Sequence, residues 1–350
     1  MKTIENILFR NSVKSDMTEI KAFISGKVIM VTGGAGSIGS ELCRQALEFE
    51  CELLIIFDID ENALYGIGEE LKDKFDGGRY KLCLGSIRDV PRLNEVMKTY
   101  KPYMIFHAAA HKHVPMMEEN PFEAIKNNVV GTINVINACI QHNIKKFILL
   151  SSDKAVRPVS IMGATKRIDE LIVKSMSGRG PELAAVRFGN VMGSNGSVVP
   201  KFQSQIANGG PVTLTHKNMK RYFMTIQEAV SLVLTAGLFA EGGEIFVLDM
   251  GRPVRIRDLA ADMIRLAGYE PGVDIKIEIT GIRPGEKLYE ELFLNDETVD
   301  KTSHKKIFIL KGENAQNFDV QLEKIIDIAK REQDEKLLRE VLFDLVKEVK

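Results

Sequence analysis

The chain has 350 residues, with 47 Lys and Arg against 48 Asp and Glu, a formal net charge of −1. Hydrophobic residues make up 45% and charged residues 27%, ordinary values for a globular protein with a large core. A charge balance this even, with no basic tract, argues against a nucleic-acid binder, and no apolar run reaches the roughly 18 residues of a membrane helix.

Residues 1–25 read as an arm and a short helix without the apolar centre of a signal peptide, so the expected location is cytoplasmic. Lys27-Val28-Ile29-Met30-Val31 reads as a strand, followed by a Gly-rich turn and a helix from Ser40 to Phe49. Leu53 to Phe57, Lys81 to Leu84, Met104 to Phe106 and Phe147 to Leu150 read as four further strands. Continuous apolar strands separated by helical stretches predict a parallel sheet covered on both faces, the doubly wound α/β architecture. After about Arg187 the rhythm becomes irregular, with Gly189, Gly193, Gly196, Gly209, Gly210 and Pro211 close together, which suits a smaller lobe closing over a substrate. The expected division is an arm (1–25), a dinucleotide-binding domain (26–186), a substrate lobe (187–296) and a C-terminal helical tail (297–350). The tail's charges read as a solvated face.

Cys43, Cys51, Cys83 and Cys139 form no C-x-x-C pair and read as buried apolar residues. The six histidines show no ligand spacing, so no metal is expected.

Thr32-Gly33-Gly34-Ala35-Gly36-Ser37-Ile38-Gly39 follows the first strand and opens a helix. Gly33 permits the tight turn, Gly36 lets backbone approach a pyrophosphate, and Gly39 lets the helix pack on the sheet. Asp58 ends the second strand 19 residues after Gly39, where its carboxylate can hold ribose hydroxyls. It would repel a 2′-phosphate, so NAD is expected over NADP.

The Thr-Gly-x-x-Gly-x-x-Gly turn, Phe106-His107-Ala108-Ala109-Ala110 and Asn128-Val129-x-Gly131-Thr132 resemble the extended short-chain dehydrogenase/reductases, whose fold is a Rossmann-type sheet with a smaller C-terminal substrate lobe. Lys112-His113-Val114-Pro115, Ser152-Asp153-Lys154-Ala155, Met162-Gly163-Ala164-Thr165-Lys166, Arg187-Phe188-Gly189-Asn190-Val191 and Arg283-Pro284-Gly285-Glu286-Lys287 narrow the likeness. They resemble the nucleotide-sugar 4,6-dehydratases of polysaccharide biosynthesis, CapD-like proteins, and within them the C5-retaining UDP-N-acetylglucosamine 4,6-dehydratases. Many of those carry membrane-anchoring N-terminal helices, so this chain reads as a soluble member or as the catalytic part of a longer one. The resemblance also implies a homo-oligomer, a dimer or hexamer.

Family members usually have Asp where Ser86 stands in the adenine-contacting turn, which also brings in Ile87, and Thr where Ser152 stands. Ala108 and Ala109 would line the cofactor site. Ordinary superfamily members have a tyrosine base where this chain has Met162, and a thioether has no proton to exchange. Either the chain only binds a dinucleotide, or another group moves the proton; the Met form is typical of the retaining dehydratases.

By resemblance, Asp153 is the acid for the sugar 6-hydroxyl, Lys154 the base for C5, Ser152 a partner of the 4-hydroxyl, and Lys166 the holder of the nicotinamide ribose. Read without the family, Ser152-Asp153 is also good helix-capping chemistry. A direct Asp153–Lys154 contact would oppose both assigned roles. Lys112 and His113 follow the fourth strand and should face the sugar or nicotinamide. Asn190, Lys201, Arg221 and Arg283 are candidates for the nucleotide diphosphate, and Glu286 for its ribose. The expected reaction converts UDP-N-acetylglucosamine to a 4-keto-6-deoxy sugar nucleotide. A C5-inverting dehydratase, a 4-epimerase and a non-catalytic dinucleotide-binding protein remain the alternatives.

Overall fold

The computed structural model describes residues 17–294, 297–311, 318–332 and 334–348; most of the expected N-terminal arm lies outside them. Six strands carry the first half of the chain: β1 Val28–Thr32, β2 Leu53–Asp58, β3 Tyr80–Leu84, β4 Met104–His107, β5 Lys146–Leu150 and β6 Glu182–Arg187. All pair in parallel, in the order β3-β2-β1-β4-β5-β6, so the connections reverse direction between β1 and β4. That reversal opens a crevice at the carboxyl edge of the sheet.

Successive strand residues face opposite sides. Met30, Ile55, Ile105, Phe147 and Leu149 enter one core with helices Val90–Tyr100, Gly131–Gln141 and Ile161–Met176. Ile29, Val31, Leu54, Ile56, Phe106 and Ile148 enter the other with helices Met17–Ile24, Ser37–Glu48 and Ile226–Phe239. Covered on both faces, β4 and β5 are buried throughout, which is why they read as unbroken apolar runs. All four cysteines are buried and unbridged. No helix among the described residues is long and apolar enough to cross a membrane.

The division expected at residue 187 is not the division of the sheet. Glu244–Leu248 pairs in parallel with β6, and Ile307–Leu310 and Val299–Lys301 extend the same sheet antiparallel. The separate small core, with Phe202, Val212, Leu214, Phe223, Leu259 and Ile264, is drawn from residues 192–223 and 256–275. Helix Ile226–Phe239 between those stretches is buried from Glu228 to Gly237, and its apolar residues join the second core on the main sheet. The tail is likewise no mere solvated face: Ile325, Ala329, Leu338, Leu342 and Leu345 of helices Phe318–Arg331 and Glu335–Glu348 are buried in the first core.

One buried ion pair joins these parts. Glu170 Oε2 accepts from Arg187 Nη2 at 2.7 Å and Glu170 Oε1 from Arg187 Nε at 3.0 Å, with both side chains fully buried. Ser151 Oγ donates to Glu170 Oε1 at 2.7 Å, and Arg187 Nη1 donates to the Leu292 carbonyl at 2.9 Å. Burial alone would raise the Glu170 pKa, but Arg187, Arg167 of the same helix and Ser151 outweigh it and hold the carboxyl at about 2. The native state therefore favours the carboxylate. Its contribution is complete above the ordinary glutamate value of 4.5 and is lost as pH falls from there toward about 2. Glu170→Gln should cost about 3 kcal/mol at pH 7 by leaving Arg187 buried and uncompensated. Urea denaturation at pH 7 and pH 3 checks this, and the deficit should shrink at the lower pH.

Candidate active site

Gly33 has φ +65°, and a Cβ there would stand 2.6 Å from the Ala109 amide nitrogen. Gly39 lies in the first turn of helix Ser37–Glu48, where a Cβ would stand 2.0 Å from the Gly33 carbonyl oxygen. Only glycine lets the turn, the helix and the segment after β4 close up in this way. The helix begins after Gly36 without a side-chain cap, so its first amides and positive dipole end are free to meet an anion. Asp58 braces the turn from β2, accepting from Ala35 N at 2.9 Å and Asp60 N at 3.0 Å.

Beyond β4, Asn128 clamps the backbone of His111, accepting its N–H at 2.8 Å and donating to its carbonyl at 3.1 Å. This sets the direction of the segment that carries Lys112 and His113. His107, held between Thr32 at 2.7 Å and Thr132 at 3.1 Å, is kept neutral by burial, its pKa pushed down to about 3.

Ser152-Asp153-Lys154 leaves β5 as a single helical turn, with Ser152 Oγ accepting from Lys154 N at 3.2 Å. The capping reading therefore holds, and it coexists with a place on the cleft wall. Ser152 Oγ also donates to Asp153 Oδ1 at 3.0 Å, and Lys154 Nζ to the same oxygen at 2.9 Å. Glu290 Oε1 lies 3.8 Å from Lys154 Nζ and 3.9 Å from Arg221 Nη2. Burial pulls the Lys154 pKa down, but Asp153 and Glu290 outweigh it and hold the ammonium above its ordinary value. Burial raises the Glu290 carboxyl. In this arrangement the Asp153–Lys154 contact does oppose the base role expected of the amine. Gly163 allows the neighbouring helix to reach the turn, since a Cβ there would meet the Lys154 carbonyl at 2.5 Å.

These groups face a cleft of about 890 Å³ between the carboxyl edge of the sheet and the small lobe. Of the residues singled out in the sequence, Gly33, Gly36, Ser37, Ile38, Gly39, Ala108, Lys112, His113, Ser152, Lys154, Met162, Lys166, Asn190, Lys201, Arg221, Arg283 and Glu286 line it. Asp58, Ser86, Ile87, Ala109 and Asp153 are not on its wall. Ile87 is core, packed over Gly131, and Ser86 Oγ accepts from Arg88 N at 3.2 Å in the turn after β3. Asp153 is fully buried behind its neighbours.

Two expected roles change in detail. Arg221 is not a free phosphate fork: it donates to the carbonyls of Lys220 and Lys287, each at 2.8 Å, and of Leu288 at 3.2 Å. Lys166 pairs with buried Asp169 at 2.9 Å, and burial raises the Asp169 pKa to about 6. Lys112 and Lys201 are lowered by burial and keep their place on the cleft wall. The small lobe reaches across to the Gly-rich turn, where Ser37 Oγ accepts from Asn195 N at 2.9 Å. Sequence reasoning missed Glu290, Asn128 as a clamp, and the Asp169 partner. The first sits in Tyr289-Glu290-Glu291, which reads as exposed charge.

A Gly-rich β1 turn, a 3-2-1-4-5-6 parallel sheet and a Lys-bearing helix facing the switch point define an extended short-chain dehydrogenase/reductase. Residues 29–312 match the polysaccharide biosynthesis protein family, and the chain belongs to that family. It is 47% identical over 340 residues to the capsular polysaccharide biosynthesis protein CapD of Staphylococcus aureus, covering 96% of this chain and 56% of the relative. The chain thus spans about half the length of that relative. It is 36% identical over 280 residues to a UDP-N-acetylglucosamine 4,6-dehydratase (inverting) of Campylobacter jejuni, covering 78% of this chain and 79% of the relative. The X-ray structure of Pen from Bacillus thuringiensis superposes with a TM-score of 0.77 at 35% identity, covering 83% of this chain and 90% of that one.

Two alanine substitutions test the turn. Gly39→Ala should lose about 1–3 kcal/mol through overpacking against the Gly33 carbonyl. Gly66→Ala, exposed on helix Glu61–Lys72 with open space around it, should gain about 0.5–1 kcal/mol. Opposite signs in urea denaturation are expected.

Proposed function

We propose that the chain is an NAD-dependent nucleotide-sugar 4,6-dehydratase acting on UDP-N-acetylglucosamine, with retention of configuration at C5. The observation that carries this reading is the Ser152-Asp153-Lys154 turn, which sets a hydroxyl and an amine on the cleft wall between the Gly-rich turn and the small lobe. The Gly33–Gly39 cradle and the uncapped helix fit a pyrophosphate, and the Asp58 carboxylate at the end of β2 fits unphosphorylated ribose. NAD, when bound, supplies the redox chemistry, taking hydrogen from sugar C4 and returning it to C6.

The chain's own residues hold the sugar and move its protons. Ser152 bonds the 4-hydroxyl. The resulting 4-keto group acidifies the C5 proton, which Lys154 removes. The 6-hydroxyl leaves as water with a proton from one of the two carboxyl groups beside Lys154, Asp153 or Glu290. Lys154 then returns its proton to C5. Removal and return by one amine on one face of the ring give retention. Lys112 and Lys201 on the cleft wall and Arg283 at the lobe's rim supply positive charge for a diphosphate.

A second reading, a dinucleotide-binding protein without turnover, draws on Met162, whose thioether can neither give nor take a proton. The two part company in D2O. Incubation with UDP-N-acetylglucosamine, followed by NMR and mass spectrometry, should show loss of one water, deuterium at C5 and the original ring configuration. Lys154→Met should slow product formation by about 10²–10⁴-fold and abolish C5 exchange. Unchanged sugar with wild-type protein holding its dinucleotide would support the second reading, and a C5-inverted product would overturn retention.

A further inference from the structure

We propose that Arg339, on the C-terminal helix Glu335–Glu348, is a positioning residue for the nucleotide-sugar side of the cleft, acting through Glu118 on the segment that carries Lys112 and His113. This rests on the nucleotide-sugar reading of the site and adds to it a helix that does not line the cleft.

Residues 112–116 all line the cleft, and they lead into a helix, Val114–Glu119, of only six residues. So short a helix does not hold itself, and the segment depends on what grips its ends. Asn128 clamps the first end at the His111 backbone. At the other end Arg339 Nη1 donates to Glu118 Oε2 at 2.8 Å, and Arg339 Nη2 donates to the Glu118 carbonyl oxygen. The guanidinium fork thus takes the side chain and the backbone of one residue together. Arg339 Nε donates to Glu335 Oε1 at 2.9 Å, which steadies the fork on its own helix. That helix is anchored in turn by Leu338, Leu342 and Leu345, buried in the first core, and packs on helix Ile161–Met176.

Glu118 passes the hold on to two more pieces of the wall. Its Oε1 accepts at 2.7 Å from Ile161 N, the first residue of the helix that bears Met162 and Lys166. Gly285 packs on the same oxygen: a Cβ there would stand 3.1 Å from Glu118 Oε1, 3.1 Å from Val114 Cγ1 and 2.8 Å from Ser160 Cβ. With φ +74°, Gly285 turns the loop that sets Arg283 and Glu286 on the cleft wall. Lys112, His113, Arg283 and Glu286 therefore stand on segments that meet at Glu118. The Gly33–Gly39 turn and Asp58, which fit the dinucleotide, follow β1 and end β2, outside those segments. Removing the guanidinium leaves the Glu118–Ile161 bond in place but frees the far end of the Lys112-His113 segment. The loss should fall on one ligand's half of the cleft and spare the other's.

The test measures binding of UDP and of NAD, and turnover of UDP-N-acetylglucosamine, by wild type, Arg339→Met, Arg339→Lys, Glu118→Gln and the Arg339→Met/Glu118→Gln double variant. Arg339→Met should weaken UDP about tenfold and leave NAD within about twofold; the KM for the sugar nucleotide should rise about tenfold with kcat within about threefold. A general loss of stability would lower both affinities together. Arg339→Lys, whose ammonium serves one of the two acceptors, should recover part of the UDP affinity. Glu118→Gln keeps an oxygen for Ile161 and turns an amide group toward the guanidinium, so adding Arg339→Met to it should weaken UDP by less than about threefold more. Wild-type UDP affinity and KM in Arg339→Met, an equal loss of UDP and NAD, or full additivity in the double variant overturns the proposal. Arg339→Lys decides the matter where the Met variant does not fold: it should bind UDP more weakly than wild type at unchanged NAD affinity, and wild-type UDP affinity overturns the proposal. Wild type that binds NAD but neither UDP nor the sugar nucleotide sinks the nucleotide-sugar reading and this one with it; wild type that binds all three beside an indifferent Arg339 sinks this one alone.

Discussion

The Glu170–Arg187 pair is the constraint on which the cleft depends. It binds the end of β6 to the helix that bears Met162 and Lys166, and through Ser151 it reaches the residue before Ser152. Through the Leu292 carbonyl, Arg187 also holds the segment just after Glu290. Four stretches remote in sequence are thereby pinned at one point behind the cleft wall. A fully buried ion pair contributes little net stability compared with a well-packed apolar substitute, but losing one partner is costly. It ties these stretches together in the arrangement that places the Lys154 amine between two carboxyl groups.

Much of this was legible in the sequence. The strand–turn–helix at Thr32–Gly39 was readable because its glycines answer to hard steric limits, which Gly39 and Gly33 now show directly. The parallel strands were readable because burial on both faces removes polar residues from them. The boundary at residue 187 was not readable, because the chain leaves the large sheet, builds the small lobe and returns at Glu244. An apolar helix and an apolar strand look the same whichever core receives them. The tail misled for a related reason: helix Glu335–Glu348 is rich in charge, yet one narrow apolar stripe suffices to dock it.

The cleft was legible residue by residue, its electrostatics much less so. That Ser152, Lys154 and Lys166 share a wall follows from their places at the ends of strands and the start of a helix. That Arg221 spends its donors on backbone carbonyls follows from a fold of residues 286–290 that no local pattern encodes. Glu290 was invisible for the same reason. A glutamate beside another glutamate reads as solvated surface, and only the return of the chain to Lys154 and Arg221 buries it.

Met162 and Asp169 belong to one adjustment. In a site built on a tyrosine base, the neighbouring lysine must stay cationic and unshared, so that its charge lowers the pKa of the phenol. Here no phenol requires that field. Lys166, 5% exposed, instead has its charge answered by Asp169 one turn further along the same helix, at 2.9 Å. The local positive potential is thereby reduced where a tyrosinate would have needed it, while the Ser152-Asp153-Lys154 turn brings a second group of charges to the same cleft wall. The chain thus joins the loss of the tyrosine to a lysine engaged by Asp169 and to a second, densely charged cluster whose carboxyl groups are buried.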